Sequence, residues 1–311
     1  MSKKTVLKLI VGLIVTVVVI YCSVRSLSGL QLKTVLNLRI NWGLAAISTF
    51  IYMYANYVRG LAYSWGIDPK MDHMTAFRIV GIGHAANMVL PLHIGEGLRY
   101  VFFPTSYSAG LRAKLLIIPA FADFLAIMIL SVLAVPFAGF RDHAMMMAMW
   151  ILSAVCIAVI VLSVAAVFFV RRLREYVKDY LNFSLVKMMF WVMLSWVMLL
   201  ASTWIGLIAL GYGDLIEVMR MSLAVFAATN IINFIPASPG SIGLFEYATI
   251  LALKIFNIND SDALVASLFL HVIQYVALIP MGLILYFTAL HGKYGAQFKG
   301  ALRRGLNKED E

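Results

Sequence analysis

Charge is what this chain has least of. Only 13% of its 311 residues are Asp, Glu, Lys or Arg, about half the share a soluble domain uses to cover its surface. Hydrophobic residues make up 62%, and the mean hydropathy is +0.91. A water-facing surface cannot be built from this composition, so lipid is the expected solvent. Cysteine is scarce as well. Cys22 and Cys156 both lie in apolar runs, which argues against a structural disulfide. No Walker A, no G-x-G-x-x-G and no H-E-x-x-H occurs, so no cofactor or metal is expected and no ATPase module is in view. Any transport would draw on an ion gradient, the membrane potential or downhill flux. The longest polar stretches, 171–187 and 291–311, are too short to enclose a core.

Acidic residues are also few, 15 against 25 Lys and Arg, for a net charge of +10. In a soluble protein that excess would point to nucleic acid. Beside long apolar runs it reads instead as a positive-inside bias with attraction to anionic headgroups, and no nucleic-acid partner is expected.

Six runs are long enough to cross a bilayer, about 6–24, 42–60, 115–139, 144–170, 187–210 and 264–290, since a spanning helix needs about 20 apolar residues. The first run resembles a signal peptide, but it is long and lacks a small-residue cleavage site, so it reads as an uncleaved span. Two more apolar stretches, 75–103 and 219–256, are interrupted at their centres by Pro91, Gly95 and Gly97 and by Pro236, Pro239, Gly240 and Gly243. Proline ends a helix and glycine permits the turn after it. Each stretch is therefore expected to be two half-helices in a re-entrant hairpin. With a cytoplasmic N-terminus and both hairpins re-entrant, most basic residues, Arg59 among them, fall on the cytoplasmic side, while the loops 211–220 and 257–263 carry Asp214, Glu217, Asp260 and Asp262 outside. If either stretch crossed fully, the basic loop 171–187 and the basic tail would face opposite compartments.

The expected fold is all-α: a polytopic integral membrane protein of one domain, with six full spans and two re-entrant broken-helix hairpins in an inverted repeat. Its parts are a first span and outer loop (1–41), a first half (42–170) with hairpin 75–103, a second half (187–290) with hairpin 219–256, and a basic cytoplasmic tail (291–311). The 171–187 loop is a candidate interfacial helix. Paired interrupted segments in two halves point to a transporter's binding site.

Irregular backbone in a membrane lines a cavity or is buried in protein, so the turns are expected to face a polar hollow, with free N–H groups of the second half-helices aimed into it. Glu96 and Arg99 lie one helical turn apart. They read either as a mutually satisfied pair or as a headgroup site, with Arg99 on phosphate and Glu96 taking a proton or an amine. His93, in the turn, is a pH sensor, a phosphate contact or a plain turn residue. Ser238 and Ser241 offer hydroxyls. Asn87, Asn230 and Asn233 brace the broken ends, with ligand contact as a second role. Asp123, inside a span, is a pathway residue by default. Glu246 either complements its helix N-terminus or lines the pathway. His271, which shares a face with Gln274, either bonds between helices or lines the pathway. Gly211-Tyr-Gly-Asp214 matches a GxGD protease string but falls in a loop, and a Ser241–His271 dyad lacks the surrounding nucleophile motif. No catalytic residues are assigned, and the chain is not expected to be an enzyme.

The two interrupted elements resemble the lysylphosphatidylglycerol synthase transmembrane-region family. Pro91, Gly95, Glu96 and Arg99 match its first element, and Pro236, Ser238, Pro239, Gly240, Gly243 and Glu246 match its second. The chain departs from the family at His93, where Arg is frequent, and at Ser241, where a second Gly is frequent. The likeness is to the lipid-flipping half, since no soluble aminoacyl-transfer domain is present. It implies a flippase or scramblase moving a phospholipid or polyprenyl-phosphate-linked lipid across the inner membrane. The lipid would be the partner. A small-solute or ion transporter, an intramembrane enzyme on a lipid-linked substrate and an accessory subunit are the alternatives.

Overall fold

The computed structural model describes residues 40–90, 94–137, 143–232 and 239–291, all helix and connections without a strand. The run 6–24, Cys22, the tail after 291, and Pro91, His93, Asn233, Pro236 and Ser238 lie outside the described residues.

Helix α1 (Trp42–Leu61) opens at Asn41, whose side chain accepts from Leu44 N–H, and closes into a π-helical turn, Ala62–Ile67. Helix α2 (His73–Val89) is capped by Asp72. It stops because Leu90 precedes a proline: clash with the proline ring forbids the helical region, and Leu90 is extended at φ −104, ψ 141. Helix α3 (Ile94–Phe102) follows and packs back on α2. Then come α4 (Ala109–Phe137), α5 (His143–Phe169), α6 (Arg171–Val177) and α7 (Phe183–Ala209). Helix α8 (Leu215–Ile232) opens on Asp214, which accepts from Ile216 N–H; in the GxGD string this carboxylate is a cap. Helix α9 (Leu244–Lys254) packs on α8, and α10 (Asp260–His291) completes the described chain. Both interrupted stretches are thus broken helices.

Among the described residues, three helices are long and apolar enough to cross a membrane, within α4, α7 and α10. A fourth span is possible by length if Ser153–Phe169 and Arg171–Tyr180, bent by 87°, count as one. Six were expected. The run 42–60 does form a helix, but Asn56 and Arg59 dilute its apolar character, and α1 is not among those three. The expected interfacial segment after 170 is α6. Helix α5 packs on α4 and α6 and leaves Trp150, Ile151, Val161, Leu162 and Phe168 exposed; an apolar helix uncovered on this scale belongs against lipid.

The packing repeats. Helix α1 lies along α7, where Ser48 and Ser202 exchange hydrogen bonds: Ser48 Oγ donates to Ser202 O at 2.7 Å, and Ser202 Oγ to Ser48 O at 2.9 Å. Helix α10 packs on α2 and α4 on α8; α1 touches α2 as α7 touches α8; α3 meets α4 as α9 meets α10. The broken helices α2–α3 and α8–α9 therefore each rest against the long helix that follows the other. The described residues flanking the breaks, Leu90 on one side and Gly240 and Ser241 on the other, line one hollow with residues of α1, α4, α7 and α10.

Candidate functional site

Asn87, in the last turn of α2, ties the first broken helix together. Its Oδ1 accepts from Gly95 N–H at 2.8 Å, and its Nδ2 reaches Glu96 Oε1 at 3.4 Å. The glycines expected to break this segment do something else. Gly95 and Gly97 lie inside α3, whose helix already starts at Ile94. A Cβ on Gly95 would strike the Gly83 carbonyl and the Asn87 amide, so Gly95 is there for close approach, while at Gly97 a Cβ would meet open space. Nor is the α3 N-terminus a set of free donors, because Asn87 takes the Gly95 N–H.

Arg99 is 6% exposed. Its stem lies over Gly83 of α2, where a Cβ would come within 2.5 Å of Arg99 Cγ. Nη1 donates to Glu96 Oε2 at 3.1 Å, the expected one-turn pair. Nε and Nη2 are buried with no hydrogen-bond partner among the described residues.

A second guanidinium stands in the same hollow. The charge pattern assigned Arg59 to the cytoplasmic side; the structure buries it at 7% exposure in α1. Its Nε donates to Ser195 Oγ at 3.2 Å, and its plane sits 4.2 Å from the centroid of the Trp196 ring, a cation–π contact. Asp123 of α4 lies 3.3 Å from Arg59 Nη2. Asp123 Oδ1 accepts from Trp196 Nε1 at 2.9 Å, whereas the Nη2 contact is too poorly aligned to be a hydrogen bond. Asn56, one turn before Arg59, donates Nδ2 to the Tyr52 carbonyl, which fixes its Oδ1 toward His84 Nδ1 at 2.5 Å. The ring proton of His84 therefore sits on Nδ1. Arg59, Asn56, His84 and Trp196 were missed as site residues. Tyr52, Asn56 and Arg59 do follow the 4- and 3-residue steps of one helix face, a signal that the span's hydrophobicity concealed.

On the other side, the second break is shaped by left-handed backbone. Gly240 (φ +58) and Gly243 (φ +87) adopt it without cost, but Ser241 (φ +58) does not. Glu246 accepts from Gly243 N–H through Oε2 at 2.6 Å and meets His271 Nδ1 through Oε1 at 2.5 Å; His271 Nε2 lies 2.9 Å from Gly240 O. Both ring nitrogens of His271 face acceptors. One proton is therefore shared in this clamp, either as imidazolium against carboxylate or as neutral ring against carboxylic acid. No nitrogen of His271 is left for Ser241, so no serine–histidine dyad forms.

The two sides enclose a cavity of about 490 Å³. Its wall includes Asn56, Arg59, His84, Asn87, Glu96, Arg99, Asp123, Trp196, Asn230, Gly240, Ser241 and Gln274. Sequence expectation placed Glu96, Arg99, Asn87, Asp123 and Ser241 in one hollow, and the structure brings them together. Glu246 and His271, with pathway roles in view, are buried behind the wall and brace the second turn. Asn230 lines the cavity while its Nδ2 is held by the Phe226 carbonyl at 2.7 Å.

No curated protein and no solved structure matches this chain. The sequence profile of the family described as the lysylphosphatidylglycerol synthase TM region matches residues 9–282, most of the chain. With apolar helices that can cross a bilayer, broken helices carrying the family's motif residues and a polar hollow between them, this membrane protein belongs to the lysylphosphatidylglycerol synthase transmembrane-region family.

Proposed function

We propose that the chain is a lipid flippase or scramblase of the cell inner membrane, and that the headgroup of a phospholipid or polyprenyl-phosphate-linked lipid crosses through the cavity between the two broken helices while its chains stay in the bilayer. The observation that carries the reading is the cavity itself. One polar hollow holds Glu96 and Arg99 of the first broken helix and Gly240 and Ser241 of the second, and two buried guanidiniums present N–H donors there that no described residue pairs. A headgroup is costly to move through hydrocarbon because its polar groups lose their hydrogen bonds. Donors already fixed in a protein hollow replace some of those bonds.

The packing supports a transporter architecture. Helices α1 to α4 and α7 to α10 make corresponding contacts, as expected for an inverted repeat whose halves present broken helices to a shared site. On this reading both termini are cytoplasmic, six segments span, α2–α3 and α8–α9 are re-entrant, and the chain moves lipid without chemistry on it.

The test is leaflet exchange in proteoliposomes. Purified protein is reconstituted with fluorescent phosphatidylglycerol, and the fraction reachable by an impermeant quencher is followed in time. Exchange well above the protein-free rate is expected, with a fall of tenfold or more in Arg99→Gln. Wild-type protein that exchanges neither this lipid nor a polyprenyl phosphate above background would refute the proposal.

A further inference from the structure

Building on the transport reading, we propose that Arg59 and Arg99 form one site for a phosphoryl oxyanion, and that each anion enters together with one proton, taken up by Asp123 when the anion displaces it from Arg59.

Three observations lead there. The first is the surplus of donors. Among the described residues, Arg99 Nε, Arg99 Nη2 and Arg59 Nη2 are buried without hydrogen-bond partners, on side chains 6% and 7% exposed that line one cavity. Buried donors are ordinarily satisfied, and guanidinium N–H groups in a fixed fork match a phosphoryl group.

The second is the charge count. The ionisable groups on the described wall are Tyr52 and Arg59 from α1, His84 from α2, Glu96 and Arg99 from α3, and Asp123 from α4. The linings from α7, α8, α9 and α10 contribute none. Behind the wall lie Tyr63, Glu246, His271 and Tyr275, the Glu246–His271 pair being internally balanced. Among the described residues, with the His84 ring and the Tyr52 phenol uncharged, two guanidiniums stand against two carboxylates and balance them. An incoming anion adds a negative charge in a low-dielectric hollow, and one proton restores the balance.

The third is how weakly Asp123 is held by Arg59. The contact is 3.3 Å and misaligned, so Arg59 Nη2 can turn to an oxyanion at small cost. Glu96, with its side chain 41% exposed, keeps contact with cavity water after losing Arg99. Asp123, 20% exposed and left with one N–H from Trp196, is the carboxylate penalised more by standing alone. The step is a carboxylate plus a proton becoming a carboxylic acid as the guanidinium changes partner, with no covalent bond to the ligand.

The test is calorimetric titration of purified full-length protein in detergent, in two buffers of unequal protonation enthalpy across a range of pH. The probes are dihexanoyl phosphatidylglycerol and inorganic phosphate. Wild type is expected to take up roughly one proton per anion, so that affinity weakens by up to tenfold per unit rise in pH. Asp123→Asn, which mimics the protonated side chain, should bind without proton uptake and lose that pH dependence. Binding of the short lipid alone assigns the site to a headgroup; binding of inorganic phosphate alone assigns it to a free anion. Binding by wild type without proton uptake overturns the proposal, as does uptake that survives in Asp123→Asn. Failure of both probes to bind wild-type protein with an intact thermal transition overturns it too. Leaflet exchange without proton-linked binding removes this inference and leaves the transport reading standing, and proton-linked binding without exchange does the reverse.

Discussion

Replacing Arg59 by Leu strands Asp123. The wild-type side chains are 8% and 20% exposed, so the pair is largely out of water, and removing one partner of a buried pair costs about 3–5 kcal/mol. Arg59 also donates to Ser195, about 1 kcal/mol, and packs on Trp196, about 1 kcal/mol more. Against this, Asp123 keeps the Trp196 N–H and is partly wetted by the cavity, and it can escape by taking a proton. A net loss of about 2–4 kcal/mol near neutral pH follows. The double variant Arg59→Leu with Asp123→Leu removes both charges, and a buried pair replaced by apolar groups is often neutral or stabilising. The double variant should therefore recover the part of the loss that comes from the stranded charge, while the Ser195 and Trp196 contacts stay lost and leaflet exchange stays dead. Reversible unfolding of purified protein in mixed micelles with increasing SDS measures all three variants against wild type. Additive losses, or an Arg59→Leu cost below about 1 kcal/mol, would refute the claim that the two charges sustain each other in a site largely shielded from water.

Gly83→Ala is expected to push Arg99 off its course, since the new Cβ falls on the Arg99 stem; exchange should drop at least tenfold, with a smaller effect on the unfolding midpoint. Ser241→Gly should stabilise the protein by up to about 1 kcal/mol, because relief of left-handed strain exceeds the entropy glycine adds to the unfolded chain, and a lower midpoint would contradict the Ser241 φ of +58. Asp72→Ala should cost about 1 kcal/mol as a lost helix cap. Burial raises the Asp72 carboxyl, but hydrogen bonds from Thr75 outweigh that and hold it below its usual value. A depressed folded value means that this stability is present above the ordinary carboxylate range and is lost as pH falls through the folded value. The difference between Asp72→Ala and wild type in unfolding midpoint should therefore shrink in acid.

Much of the fold was legible because it rests on local rules. Leu90 before Pro91 cannot stay helical, and Gly240 and Gly243 supply the left-handed turn, so two broken helices could be read from two short motifs. Glu96 and Arg99 were expected on one helix face, as a mutual pair or as a headgroup site, because three residues make about one turn of helix. What Gly95 does was not legible. A glycine beside a break reads as flexible, and only the path of α2 shows that it lets the Gly83 carbonyl come close.

Arg59 marks the boundary more sharply. Hydropathy and charge balance depend on sums over segments, and a basic residue near the end of an apolar run satisfies the positive-inside count on the membrane surface. Burial depends on what arrives from far away in the chain, here Asp123 on α4 and Ser195 and Trp196 on α7. The same holds for His271, whose spacing with Gln274 assigns a helix face but not the Glu246 and Gly240 acceptors that occupy its two nitrogens. The amino-acid sequence by itself determined a lipid solvent, the helices and where two of them break, because those follow from composition and from steric rules acting over a few residues. Only the tertiary structure decided which charges share a hollow and which of their donors go unpaired, because contacts between distant segments are set by the packing of whole helices.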